Sequence, residues 1–105
     1  MAFGILGQNS PGILGLDPEE LKKRIVWAKG HPIPRADRAV WRTDDHGNIL
    51  NWFDYGDRNS PYGWEMDHYP IPKSLGGSNA VGNLRPLHCR LNASLGAILG
   101  GLIRD

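Results

Sequence analysis

Cysteine is almost missing: Cys89 stands alone among 105 residues. A single thiol excludes an internal disulfide framework and any cysteine-built zinc cluster, and it points to a reducing compartment. Long hydrophobic runs are missing too, since nothing approaches the ~18 consecutive apolar residues of a membrane span. The amino-terminal MAFGILGQNS has no basic residue ahead of its short apolar run, so no signal peptide is expected. A soluble, intracellular, cytoplasmic protein is the expectation. Overall charge is slight as well, at +1, and argues nothing about nucleic acid.

The distribution of charge says more. Residues 68–104 contain Lys73, Arg85, Arg90 and Arg104 and no acid, whereas residues 36–67 hold seven acids against three bases. A polyanion would favour the later segment and avoid the earlier one. A solvated face with chance asymmetry is the plain alternative. Hydrophobic content of 40% and charged content of 22% predict one globular domain over 1–105.

Residues 1–16 are glycine-rich and apolar, with Gly-Ile-Leu-Gly at 4–7 and 12–15, and read as an extended arm. A supporting region over 17–61 begins with the clearest local signal. Asp17 caps a helix, Pro18 fits its first position, and Glu20 completes a capping box, with Leu16 and Leu21 spaced as a hydrophobic staple. The spacing predicts a helix over 18–29 with Leu21, Ile25 and Ala28 inward and Gly30 as its stop. His31-Pro32-Ile33-Pro34 cannot continue it. A hairpin follows, from Ala39-Val40-Trp41-Arg42 through a turn at Asp45–Asn48 to Ile49–Tyr55. Trp27, Trp41, Trp52 and Trp64 are expected to pack a layer behind what comes next, with base stacking by one of them as the alternative.

Residues 62–95 read YGWEMDHYPIPKSLGGSNAVGNLRPLHCRLNASL. The order is a strand at Gly63–Tyr69, a loop through Gly76-Gly77, a strand at Asn83–Leu87 that contains Pro86, and a helix over 89–99. An Asp-His dipeptide is most often a surface pair. Here Asp67-His68 ends a strand, with Asn83 fifteen residues after His68 and Asn92 nine further on. That directs oxygen donors from Asp67 and Asn92 towards one point. Strand alternation places Asp67 and His68 on opposite faces unless the strand bends near Pro70.

The fragments Gly-Trp-Glu-Met-Asp-His, Lys-Ser-Leu-Gly-Gly-Ser and Asn-Leu-Arg-Pro-Leu-His, in this order, resemble the HNH endonuclease family. The likeness is to its HNN variant and to its free-standing bacterial and phage members. The resemblance implies an α+β fold with a ββα-metal core over 62–99, a two-stranded hairpin and helix clasping one divalent cation. It implies Asp67 and Asn92 as metal ligands, His68 as general base and Asn83 as the residue that pins the loop. The implied reaction is one-metal hydrolysis of DNA phosphodiesters to 5′-phosphate and 3′-hydroxyl ends. An imidazole that titrates near ~6.5 in free peptides suits the proton transfer. Two oxygen donors favour Mg²⁺ or Mn²⁺, with Zn²⁺ or Ni²⁺ as alternatives.

Departures from the family are informative. Where many relatives place Cys-x-x-Cys knuckles this chain has His88 and Leu91, so no structural zinc is expected. Gly96 stands where some members have a further histidine, and Leu95 where a basic residue is common. Lys73, Arg85 and Arg90 are left as nucleic-acid contacts. Glu65 is an accessory candidate or a cross-strand surface charge; His88 is an accessory ligand or a capping and packing residue. His31 and His46 fit no ligand spacing, and Cys89 reads as a buried side chain. Double-stranded DNA is the expected partner, together with a phage packaging or processing protein, and no membrane. Two other readings stand beside this one: a binding module with little cleavage, and a toxin-like nuclease acting on RNA.

Overall fold

The local chemistry around Asp17 does start a helix. In the computed structural model, which describes residues 17–90 together with Gly15, α1 runs over Pro18–Trp27. The Asp17 carboxylate accepts the Glu20 N–H at 2.6 Å. Glu20 does not reach back to complete the box; its carboxylate meets Lys23 at 3.3 Å. The helix ends two residues short of the expected 29. The arm over 1–16 lies outside the described residues apart from Gly15, and with it Leu16 of the staple.

The buried face of α1 differs from the expected one. Val26 and Trp27 are buried, while Ile25 is 42% exposed and Ala28 is exposed. The reason is the partner surface. Lys23 and Arg24 lie over the Trp52 ring at 4.6 and 4.9 Å from its centroid, which turns the 23/26/27 stripe inward. Trp27 satisfies its indole N–H on the Arg38 carbonyl at 3.0 Å, so its large ring is buried without an orphaned donor.

Among the described residues two antiparallel sheets accompany the helix, an α+β arrangement. The first orders β1 (His31–Pro32), β2 (Trp41–Thr43) and β3 (Ile49–Asn51) side by side. The expected β2–β3 hairpin forms, with Trp41 opposite Asn51 and Thr43 opposite Ile49. Its second strand stops at Asn51 instead of running to Tyr55, and Trp52–Asp54 turn into a 3₁₀ helix capped by the Asn51 side chain. β1 was not expected; one short pairing, His31 opposite Thr43, extends the sheet where prolines argued only against a helix. The second sheet pairs β4 (Trp64–His68) with β5 (Leu84–His88), Asp67 opposite Arg85 and His68 opposite Leu84. Asn83 is not in the strand as expected but ends a 3₁₀ turn at Val81–Asn83, just before it. The chain turns helical at Cys89–Arg90, and the remainder of the expected 89–99 helix lies outside the described residues.

Trp27, Leu50, Trp52 and Trp64 form the core, with Met66 packed against it. Ring centroids lie 4.9 Å apart for Trp27–Trp64 and 5.8 Å for Trp52–Trp64. Each fully buried aliphatic side chain, such as Leu50 or Leu87, contributes about 1.5–3 kcal/mol. Trp41 departs from the expected four-tryptophan layer. It packs edge-on against Tyr62 at 5.1 Å, beside Ile33 and Ile49 in a shallow apolar hollow.

Two long-range polar contacts fix the sheets to their surroundings. Lys29, just past α1, donates to the Leu84 carbonyl at 2.8 Å and to the Val81 carbonyl. Asp44, 1% exposed, accepts the backbone N–H groups of His46, Asn48 and His88 at 2.9–3.0 Å. A buried carboxylate is costly unless its lone pairs are filled, and here several donors fill them. No helix among the described residues is long and apolar enough to cross a membrane.

Candidate functional site

The loop between β4 and β5 is built around the Asn83 side chain. Its Oδ1 accepts the Ile71 N–H at 3.0 Å, and its Nδ2 donates to the carbonyls of Ile71 and Ser78 at 2.9 and 3.1 Å. One amide thereby replaces the backbone partners that an irregular loop lacks. The loop must come close for this to happen, and Gly77 permits it. A Cβ at Gly77 would stand 1.9 Å from the Ile71 carbonyl oxygen and 2.8 Å from Asn83 Nδ2. The neighbouring Gly76 takes a left-handed φ of 85°.

His68 ends β4 at the mouth of this loop. Its Nε2 lies 2.7 Å from Oδ1 of Asn79, a loop residue that sequence reasoning passed over. With the amide oxygen accepting, Nε2 carries the proton and Nδ1 keeps its lone pair, the form that a base requires. The Ser-Asn step after Gly76-Gly77 was the only signal for Asn79.

Asp67 takes different partners from its neighbour. Its Oδ2 accepts from Arg85 Nε at 2.9 Å, the cross-strand pair directly opposite. Arg85 extends Nη1 to Asp45 Oδ2 at 3.3 Å and lays its guanidinium 4.0 Å from the Tyr69 ring centroid. Asp45 in turn meets His31 Nε2 at 2.8 Å. The hydrogen bond from His31, more than the nearby Arg85, holds the Asp45 carboxyl below its ordinary value, against an opposing effect of burial. His31, read from sequence as a plain surface residue, therefore belongs to a chain His31–Asp45–Arg85–Asp67 that crosses both sheets. Separations of 14, 40 and 18 residues hid it from any spacing argument.

The other candidates are placed as follows. Arg85, expected to face nucleic acid, is only 14% exposed and engaged with two carboxylates. Lys73 is exposed at the start of the 3₁₀ turn Lys73–Leu75, and Arg90 is exposed where the chain turns helical after β5. Glu65 receives a forked contact from Arg58 at 3.0 and 3.2 Å, so it positions an arginine rather than standing as a bare cross-strand charge. His88 takes the capping and packing contacts that were the alternative to an accessory ligand. Its Nε2 donates to the Pro61 carbonyl at 2.9 Å and its Nδ1 accepts the Arg90 N–H at 3.2 Å, which uses both ring nitrogens for packing and capping. Cys89 is fully buried, and burial raises its thiol to about 11. Asn92 lies outside the described residues.

Among the described residues no three His, Cys, Asp or Glu side chains converge as a metal cluster. Of the two expected metal ligands only Asp67 lies among the described residues. Asp67 presents carboxylate oxygen, the ligand type that Mg²⁺ and Mn²⁺ take. It also already sits against one positive charge, the Arg85 guanidinium.

Compared with protein-family models, curated proteins and solved structures, the chain has no significant match. The site must be argued from its own geometry.

Proposed function

We propose that this protein is a metal-dependent endonuclease that hydrolyses DNA phosphodiesters, with a ββα-metal core of the HNH type over 62–99. The observation that carries the reading is the Asn83 amide, whose three hydrogen bonds hold the loop from Ile71 to Ser78 beside His68. A loop pinned in this way gives a strand-end histidine a fixed orientation, which a mere surface Asp-His pair would not need.

His68 acts as the general base. Its free ring nitrogen takes the proton of the water that attacks phosphorus, an assistance worth about 10²–10⁴ in rate. Asn83 positions it by holding the loop, and Asn79 holds Nε2 so that the basic nitrogen is the other one. Asp67, with Asn92, would hold the divalent cation, Mg²⁺ or Mn²⁺ by donor type, with Zn²⁺ or Ni²⁺ as alternatives. When bound there it would supply charge neutralisation at the phosphate and the departing 3′-oxygen. Lys73 and Arg90, both exposed, are the phosphate contacts, and double-stranded DNA is the substrate.

A second reading has its own observation. Arg85 already neutralises Asp67 at 2.9 Å, which suits a nucleic-acid-binding module that cleaves little. One experiment separates the two: purified protein incubated with plasmid in Mg²⁺, in Mn²⁺ or in EDTA, beside His68→Ala. The expected outcome is nicking or cutting abolished by both EDTA and the substitution. Undiminished activity in His68→Ala removes the assigned base, and tight DNA binding without cleavage in either metal selects the binding module.

A further inference from the structure

The backbone that faces His68 is held from the end of α1. Leu84 stands directly opposite His68 in the β4–β5 register. The Asn83 carbonyl accepts the N–H of Tyr69, the residue after His68, at 3.0 Å, while the Asn83 side chain holds Ile71 and Ser78. The two carbonyls that bracket Asn83, those of Val81 and Leu84, both end on one group, the Lys29 ammonium. Lys29 is itself well anchored. Its N–H donates to the Val26 carbonyl at 3.0 Å in the turn that closes α1, and the side chains of Val26 and Trp27 beside it are buried. Among the described residues Lys29 makes no ion pair with a carboxylate. A lysine on a solvated face keeps its charge in water. This one aims it at the point where a 3₁₀ turn gives way to β5, and hydrogen bonds from a charged donor are roughly twice as strong as neutral ones.

We infer that Lys29 is a positioning residue for His68: it fixes the backbone over 81–84 against the end of α1 and, through Asn83, sets the orientation of the imidazole. The inference rests on His68 being the general base of the proposed nuclease, and it adds a group from outside 62–99 on which that base depends. Lys29 acts through the backbone and through Asn83, not on the phosphate or the attacking water. Without the ammonium the Val81 and Leu84 carbonyls lose a shared donor, and the turn that carries Asn83 is free to move relative to β4. The Tyr69 and Ile71 amides, which both end on Asn83, then loosen. Asn79 lies in the same loop, so Nε2 of His68 loses its fixed acceptor and the neutral ring populates both tautomers. Only one of those tautomers presents a lone pair at Nδ1.

Lys29→Met in the full-length chain keeps the reach of the stem and removes its donors, whereas Lys29→Arg keeps donors for both carbonyls. In Lys29→Met, hydrogen exchange at the Tyr69 and Ile71 amides should accelerate about tenfold or more. The Asn51 amide, which donates to the Tyr62 carbonyl at 3.0 Å, should keep the parent's rate. The ¹⁵N shifts of the His68 ring should move from a single tautomer to a mixture. With plasmid DNA in Mg²⁺, kcat should fall about 10- to 100-fold while KM stays unchanged. Lys29→Arg should restore the exchange rates, the ring shifts and kcat together. If Lys29→Met does not fold, Lys29→Gln, which keeps a shorter neutral donor, carries the same comparison. Exchange that rises equally at Tyr69, Ile71 and Asn51, with His68 shifts unchanged, marks a merely stabilising lysine and overturns the inference. Altered ring shifts with undiminished kcat overturn it too. Exchange and ring shifts are read without cleavage, so a parent protein that cuts no DNA removes the nuclease reading, while the link from Lys29 to the His68 ring is still decided by the first two measurements.

Discussion

The Asp44 carboxylate accepts the backbone N–H of His88 at 3.0 Å, across 44 residues of chain. That contact joins the turn of the first sheet to the last strand of the second. It places Asp45, the next residue, within reach of Arg85.

Asp44 should be among the least replaceable residues. Asp44→Ala leaves the N–H groups of His46, Asn48 and His88 without their acceptor in a site that is 1% exposed. A loss of about 3 kcal/mol or more is expected, since hydrogen bonds to charged groups contribute roughly 1.5–3 kcal/mol each. Thermal unfolding followed by tryptophan fluorescence should show a fall of more than about 10 °C. Asp44→Asn, which keeps one acceptor oxygen, should fall in between.

The pinned loop has its own signature. Asn83→Asp keeps the acceptor for Ile71 but turns two donated bonds, to Ile71 and Ser78, into repulsions between oxygens. Hydrogen exchange at the Ile71 amide should accelerate at least about tenfold, equivalent to ~1.4 kcal/mol of local protection. Gly77→Ala should give the same result through sterics, because its Cβ would stand 1.9 Å from the Ile71 oxygen. Protection at Ile71 equal to that of the parent in both variants would remove Asn83 from its role.

Cys89 should be inert while the domain is folded. Its thiol is pushed up to about 11 by burial, so almost no thiolate exists near neutrality and alkylation by iodoacetamide at pH 8 should await unfolding. The folded-state value lies above the ordinary 9.0. The stabilisation is therefore fully present below pH ~9 and is lost as pH rises through about 11. Cys89→Ser or Cys89→Ala should flatten that alkaline limb of a stability–pH curve.

Asp45 predicts the opposite limb. Its carboxyl is lowered from 3.8, first by His31 and then by Arg85, so it stabilises the fold above that value. The contribution disappears as pH falls through the lowered value. Because the side chain is 44% exposed, solvent screening keeps the effect to about 0.5 kcal/mol. Denaturant unfolding of Asp45→Asn should show that deficit at pH 6 and a shrinking one below pH 4.

What sequence could reveal follows how local the cause is. Asp17 and Pro18 act within one turn, so the helix start was legible. Its buried face was not, because the orientation of Val26 and Trp27 depends on Trp52 and Trp64, which arrive from elsewhere in the chain. The β4–β5 pairing and its long loop were legible from prolines and the Gly-Gly step. Pro86 did not prevent Asn83 from being placed inside β5, although the strand begins one residue later. Glu65 and Arg58 lie seven apart, near enough to guess, whereas Asp45 and Arg85 are forty apart and no periodicity connects them.

Lys29 directs its ammonium at two carbonyls, Val81 and Leu84, that bracket Asn83 from more than fifty residues away. Those carbonyls belong to the segment that a short peptide over 62–95 would contain, but their donor does not. Excised as a peptide, the loop would exchange an ammonium for bulk water at the very place where its shape is set. The smallest transferable unit is therefore a discontinuous one, a helix end and a distant hairpin that must find each other before either has its final form. Contacts of that separation are slow to close, and so the site's geometry should be among the last features acquired as the chain folds.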